Sequence, residues 1–220
     1  MKRIPSYNGT LRSHFLNVPK CIYSCSGILI FGKRIKSLVF STDVAIIKNV
    51  NTDAVIAVYP FTPQSQIAKA IIEIADVPVF VGVGGGVTSG SRSVLLAVEA
   101  EHLGAHGVVV NAPMAPDVIS RIKATVDIPV IATIASGRQD VGERIRAGAD
   151  ILNVAVAADT PTVVADIRSR YPDIPIIATG GPTDDTIRAT IAAGANAITY
   201  TPPSNGDLFA EKMRAYRLKF

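Results

Sequence analysis

The chain has 220 residues, 48% of them hydrophobic and only 6% aromatic, with a formal net charge of +4. That length can bury one sizeable core, and no apolar run is long enough to cross a membrane as a helix. The N-terminus lacks the charged-then-apolar-then-small order of a secretory signal, and Cys21 and Cys25 are the only cysteines, so free thiols in a reducing cytoplasm are expected.

Residues 1–42 hold Lys2, Arg3, Arg12, Lys20, Lys33, Arg34 and Lys36 and no acid. Such an arm suits an anionic partner such as RNA, or an acidic surface of its own or a neighbouring subunit. Residues 1–26 give no regular structure, and 27–36 read as a short hairpin turning at Gly32-Lys33. From there strands are expected near 37–41, 54–59, 77–83, 107–111, 128–133, 150–155, 174–179 and 196–200. Apolar residues at helical spacing mark 64–75, 94–103, 117–126, 140–147, 162–171 and 184–193 between them. Asp43 opens a further short helix over 44–50. Thr160-Pro161 and Thr183, followed by Asp184 and Asp185, are helix-start signals, while Gly104, Gly148 and Gly194 stand where left-handed caps are wanted.

The order of these elements is written into an internal repeat. One phrase recurs as Val-Pro-Val-Phe-Val-Gly-Val-Gly-Gly-Gly (77–86), Ile-Pro-Val-Ile-Ala-Thr-Ile-Ala-Ser-Gly (128–137) and Ile-Pro-Ile-Ile-Ala-Thr-Gly-Gly (174–181). A second, built on Leu/Ala-Gly-Ala, alternates with it at 103–113, 147–154 and 193–202. Pro129 and Pro175 lie 46 residues apart, as do Ala147 and Ala193, so each block holds two strand–helix units. Eight throughout-apolar strands alternating with helices predict an α/β fold of TIM-barrel, (β/α)8, type over 37–220, with 1–36 as an extension and hairpin packed on it. A doubly wound open sheet is the alternative, but it has no reason to keep the even pairing.

In such a barrel the working face is the C-terminal end of the strands. There the sequence places Ser41, Thr42 and Asp43 after the first strand and Tyr59 after the second. Gly84, Gly85 and Gly86 follow the third, Asn111 closes the fourth, and Thr133, Ser136 and Arg138 follow the fifth. Asn153 ends the sixth, Thr179, Gly180 and Gly181 follow the seventh, and Tyr200–Ser204 follow the eighth. Bare glycines let main-chain N–H groups approach an anion at a helix N-terminus, or simply serve a tight turn. The loop 82–92, with five glycines and Arg92, reads as a lid or second anion cradle, or as a permissive turn. Asp43 is either a proton-transfer carboxylate or a helix cap. Arg138 could clamp an anion, and Asp140 reads as a cap. Asn111 and Asn153 could bond a substrate carbonyl or hydroxyl, or loop backbone. No lysine stands on a barrel strand, which argues against a Schiff-base aldolase, and His14, His102 and His106 form no metal-ligand constellation.

Over roughly 103–201, the Pro-x-Ile-Ala-x-Gly-Gly strand, the Ala-Gly-Ala helix end and the last strand resemble the phosphate-binding (β/α)8 superfamily. The resemblance implies a phosphate cup at Gly180 and Gly181, a small phosphorylated or carboxylated metabolite, and an enzyme of lyase, isomerase or hydrolase type. Those relatives follow their last strand with Gly-Ser or Gly-Thr, whereas here it leads into Thr201-Pro202-Pro203-Ser204, and proline has no N–H to donate. A looser resemblance, carried by Val-Tyr-Pro and Ile-Ile-Ala-Thr-Gly-Gly, is to glycerol-operon antiterminator barrels, and it implies a non-catalytic, ligand-sensing regulator that binds RNA. A third reading places flavin mononucleotide (FMN) on the last two loops, though no resident cofactor is the primary expectation. A homo-oligomer is expected.

Overall fold

A computed structural model describes residues 5, 7, 9, 10 and 16–219. Lys2, Arg3, Arg12 and His14 of the basic arm lie outside the described residues.

Eight parallel strands close into a barrel in the order β10-β3-β4-β5-β6-β7-β8-β9. They are β3 (Ser37–Phe40), β4 (Ala54–Ala57), β5 (Val79–Gly84), β6 (Gly107–Val110), β7 (Val130–Ile134), β8 (Ile151–Val154), β9 (Ile176–Thr179) and β10 (Ala197–Tyr200). The helices outside are α1 (Val44–Lys48), α2 (Ser65–Ile74), α3 (Ser91–His102), α4 (Pro116–Lys123), α5 (Val141–Arg146), α6 (Thr160–Arg170), α7 (Asp184–Ala192) and α8 (Asn205–Arg217). The open-sheet alternative is excluded, because β10 pairs with β3 through Ile198 and Ser37. Gly104, Gly148 and Gly194 take φ values of 92°, 103° and 110°, so the three glycines end their helices as left-handed caps.

The strands bury both faces, and their alternation separates two cores. Outward residues such as Val39, Val108, Leu152 and Ile198 pack under the helices. Inward ones (Leu38, Ile56, Phe80, Val109, Ile131, Ile151, Ile177 and Ala197) fill the barrel. Phe80 is fully buried, and Gly107 makes room for it: a Cβ there would come within 2.8 Å of the ring. Interior packing of this kind leaves no central pore.

A hairpin, β1 (Ile28–Ile30) and β2 (Lys33–Ile35), plugs the N-terminal end, adding Ile28, Ile30 and Ile35 to the interior. Its turn falls at Phe31-Gly32, one residue earlier than the sequence predicts. Ile30 pairs with Lys33, a register that keeps all three isoleucines on the core side. Phe31 therefore accepts a positive φ of 45° beside Gly32 at 78°.

Besides the short 3₁₀ turn Ala157–Asp159 that leads into α6, two segments without a predicted element have one. Lys20–Ser24 is a 3₁₀ turn that buries Cys21 and Ile22, with Cys25 just behind it, against the outer core. Burial pushes the Cys25 thiol up to about 11. The other is α8, a 13-residue helix with no fully buried side chain. Ser204 caps it through a reciprocal pair with Asp207, whose main-chain N–H Ser204 accepts at 3.1 Å.

Polar side chains tie the lower end of the barrel. Asp53 Oδ2 accepts from Lys36 N and Ser37 N, both at 2.9 Å. Asp150 Oδ2 accepts from Val130 N and from Lys123, also at 2.9 Å. Asn196 stands 46 residues beyond Asp150 and does the same work. Its Oδ1 accepts from Ile176 N at 2.9 Å and from Arg168 at 2.8 Å, while its Nδ2 donates to Ser26.

Candidate functional site

At the opposite end, two adjoining hollows of about 550 and 540 Å³ open among the loops that follow the strands. They share Phe40, Val58, Tyr59, Pro60 and Asn111, so they form one mouth. Phe40 and Val58 are the inward residues two positions beyond Leu38 and Ile56, and together with Tyr59 and Phe61 they make an aromatic and apolar wall. Tyr59 Oη accepts the Gln64 N–H at 2.7 Å, which fixes the Tyr59–Pro63 loop against the start of α2.

Asp43 lines the first hollow. Its Oδ1 caps α1, accepting from Ala45 N at 2.8 Å and Ile46 N at 3.2 Å, and its own N–H donates to Ser41 Oγ at 3.1 Å. Oδ2 makes no hydrogen bond to a described residue. The cap and the mouth position coexist: Oδ1 holds the helix, and the residue still lines the hollow. Among the described residues no Lys, Arg, His or Glu lines either hollow, and Asp43 is the only Asp that does.

The glycine loop has a packing role that accounts for part of its composition. Gly84 and Gly85 take φ of 124° and 112°. A Cβ on Gly84 would meet Thr88 O at 2.5 Å, and one on Gly85 would meet Asn111 N at 2.6 Å. The loop is thus pressed on the end of β6, with Asn111 N donating to Gly84 O at 2.8 Å. Gly86 has open space around it and lines the second hollow, as does Gly82. Arg92 and Arg138 are exposed and line neither hollow. Asp140 caps α5, accepting from Glu143 N at 2.9 Å.

Asn111 and Asn153 both line the second hollow, with Thr133 between them on β7. Asn111 Oδ1 accepts from Ala112 N at 2.9 Å, which leaves its Nδ2 without a described partner. Asn153 Nδ2 reaches Thr133 Oγ1 at 3.4 Å. Gln139, not singled out by the sequence, braces this side. Its Oε1 accepts from Ala135 N and Ser136 N, and its Nε2 donates to Ala112 O. Only its place after Ser136 in the loop signalled it.

Thr179, Gly180 and Gly181 end β9 beside the mouth without lining either hollow. Gly180 is a packing glycine: a Cβ would come within 2.7 Å of both Ile187 and Ile198, and its N–H points to Thr199 O at 3.4 Å. Gly181, at φ 80°, is exposed, and its N–H makes no bond to a described residue. The helix beyond it already carries Asp184 and Asp185 in its first turn, and these carboxylates answer its positive end. Ser204 is committed to capping α8 while lining the first hollow. A flavin mononucleotide phosphate would want main-chain donors from both of the last loops. Pro202 and Pro203 supply none, so the loop after β10 does not fit that phosphate.

No family model and no curated protein matches the chain. Solved structures match in fold. A phosphonopyruvate hydrolase aligns with a TM-score of 0.64 at 15% identity, covering 86% of this chain and 82% of its own. The phosphoenolpyruvate phosphomutase from Streptomyces platensis subsp. rosaceus gives 0.62 at 15% identity, over 90% and 83%. The aldolase QR15 gives 0.58 at 19% identity, over 84% and 96%. At such identities the likeness establishes the (β/α)8 barrel and leaves the chemistry to the site.

Proposed function

We propose that the protein is an enzyme that binds a small polar metabolite in the C-terminal mouth and acts on it by proton transfer at Asp43. The reaction would be of lyase, isomerase or hydrolase type. The observation that carries this is that Asp43 is the only acidic or basic side chain among the described residues lining the two joined hollows, at the face where (β/α)8 enzymes work. Two main-chain N–H groups fix Oδ1, so the carboxylate is held in one orientation and Oδ2 is the atom that takes the proton. Tyr59 and Phe61 narrow the entrance and shed water from a bound substrate.

Asp43→Asn is the matched test, because asparagine caps a helix as well as aspartate does. Turnover, followed by NMR over a panel of sugar phosphates, polyols and 2-oxo acids, is expected to fall at least ~100-fold, the scale of a lost general base, with unchanged melting temperature. Turnover at the wild-type rate would overturn the assignment. Binding without turnover in the unmodified protein would favour a ligand-sensing regulator, a reading that the scarcity of ionisable side chains in the mouth supports.

An anionic end of the metabolite, phosphate or carboxylate, is placed at Thr179–Gly181, where the Gly181 N–H is exposed and free of described partners. Asp184 and Asp185 compete for the same helix end. Inorganic phosphate is therefore expected to give a small thermal shift that grows in Asp184→Asn. No shift in either protein would remove the anion from the proposal.

A further inference from the structure

The inner wall of the barrel carries a second pattern at the mouth. Val109, Ile131, Ile151, Ile177 and Ala197 belong to the interior core. Two positions further along each strand, on the same inner face, stand Asn111, Thr133, Asn153, Thr179 and Thr199. Thr133 is in register with Asn153, and Thr179 with Thr199. Five neighbouring strands thus end their interior in a neutral side chain that can both donate and accept. The corresponding places on β3, β4 and β5 are Phe40, Val58 and Gly82, which are apolar. The arc also follows the repeat, since Thr133 and Thr179, like Asn153 and Thr199, are 46 residues apart.

The bonding capacity of this arc is almost unused within the protein. Thr199 is only 7% exposed, yet its Oγ1 has no hydrogen-bond partner. The one contact within the arc is the long bond from Asn153 to Thr133. Thr199 and Thr179 line neither hollow, whereas Asn111, Thr133 and Asn153 line the second, where their spare donors and acceptors can be met by a ligand.

We propose that Asn111, Thr133 and Asn153, the part of this arc that lines the second hollow, bind the hydroxyl-bearing face of a neutral, sugar-like body, whose C–H face lies against Phe40, Tyr59 and Phe61. Neutral amides and hydroxyls on one side and aromatic rings on the other match a molecule that alternates hydroxyl and C–H surface. An ion is a poor occupant, because nothing in the arc compensates its charge. The inference rests on the reading of the mouth as the binding site and specifies the uncharged part of its substrate.

Ribitol and inorganic phosphate are the probes, followed by saturation-transfer and chemical-shift NMR on the full chain. Ribitol is expected to bind, and Thr133→Val and Asn153→Ala are each expected to weaken it about tenfold, the scale of one lost hydrogen bond. Thr199→Val, outside the hollows, should leave ribitol binding unchanged and raise the melting temperature of the ligand-free protein, because it removes the orphaned hydroxyl without changing the shape. A merely structural threonine would lower it. Failure of ribitol to bind, or wild-type affinity in both Thr133→Val and Asn153→Ala, would overturn the arc's role. Asp43→Asn separates the two claims. It should bind ribitol normally, and its turnover bears only on the catalytic reading.

Discussion

β8 and β10 carry a polar side chain at each end of the barrel, and the two ends are finished differently. Below, Asp150 and Asn196 each accept a main-chain N–H from the first residue of the preceding strand and a bond from a cationic side chain besides. Above, three residues on, Asn153 has one long bond and Thr199 has none. The same repeat thus writes both rings, but the lower one is spent on holding the chain and the upper one is left with bonds to give. The lower end is also sealed by Ile28, Ile30 and Ile35, whereas the upper end opens into the two hollows. Stability and function are divided between the ends, as expected where a rigid scaffold carries its site on loops and strand tops.

The largest expected effect separates the ends directly. Asn196→Ala strips partners from Arg168, Ile176 and Ser26 and is expected to cost about 1–3 kcal/mol in urea unfolding. Asn153→Ala, its counterpart above, is expected to cost less than about 0.5 kcal/mol, as a site with little internal bonding should. Equal losses would break the contrast. A smaller effect sharpens it at the lower rim. His106 lies 6.2 Å from the Phe31 ring at the hairpin tip, and burial, then Lys33, hold its imidazole below the usual range. The unfolded chain therefore takes up this proton at a higher pH than the folded one. Stability from this group is complete above about 6.5 and is lost as the pH falls below it. The pH dependence of the melting temperature between 7 and 5 should flatten in His106→Gln, and an unchanged slope would acquit the histidine.

Most of the architecture was legible because it is repeated. The Ile-Pro-x-Ile-Ala-Thr phrases place β7 and β9 within two residues, and the Gly-Ala helix ends place β8 and β10. The hairpin turn slipped by one because Gly32-Lys33 looks like the better turn pair, while the interior needs Ile28, Ile30 and Ile35 on one face, a demand made from far along the chain. α8 went unread because it has no apolar stripe that the barrel buries; only Leu208 and Met213 are half covered. At the site, Asp43, Asn111 and Asn153 could be read from their places at strand ends. The orphaned hydroxyl of Thr199 could not, since it depends on being inside and unpartnered, which no local pattern encodes. For the glycines, composition suggested anion chemistry, and the structure gives Gly84, Gly85 and Gly180 a packing reason that a sequence cannot distinguish from it.

The central claim is that the upper ring and its aromatic wall receive a ligand while the lower ring does not. Amide chemical-shift mapping during a ribitol titration tests it most directly. The account predicts saturable shifts at Asn111, Thr133, Asn153 and Tyr59, with Asp150 and Asn196 unmoved. Shifts confined to the hairpin end, or none at the strand tops at saturating ribitol, would contradict it.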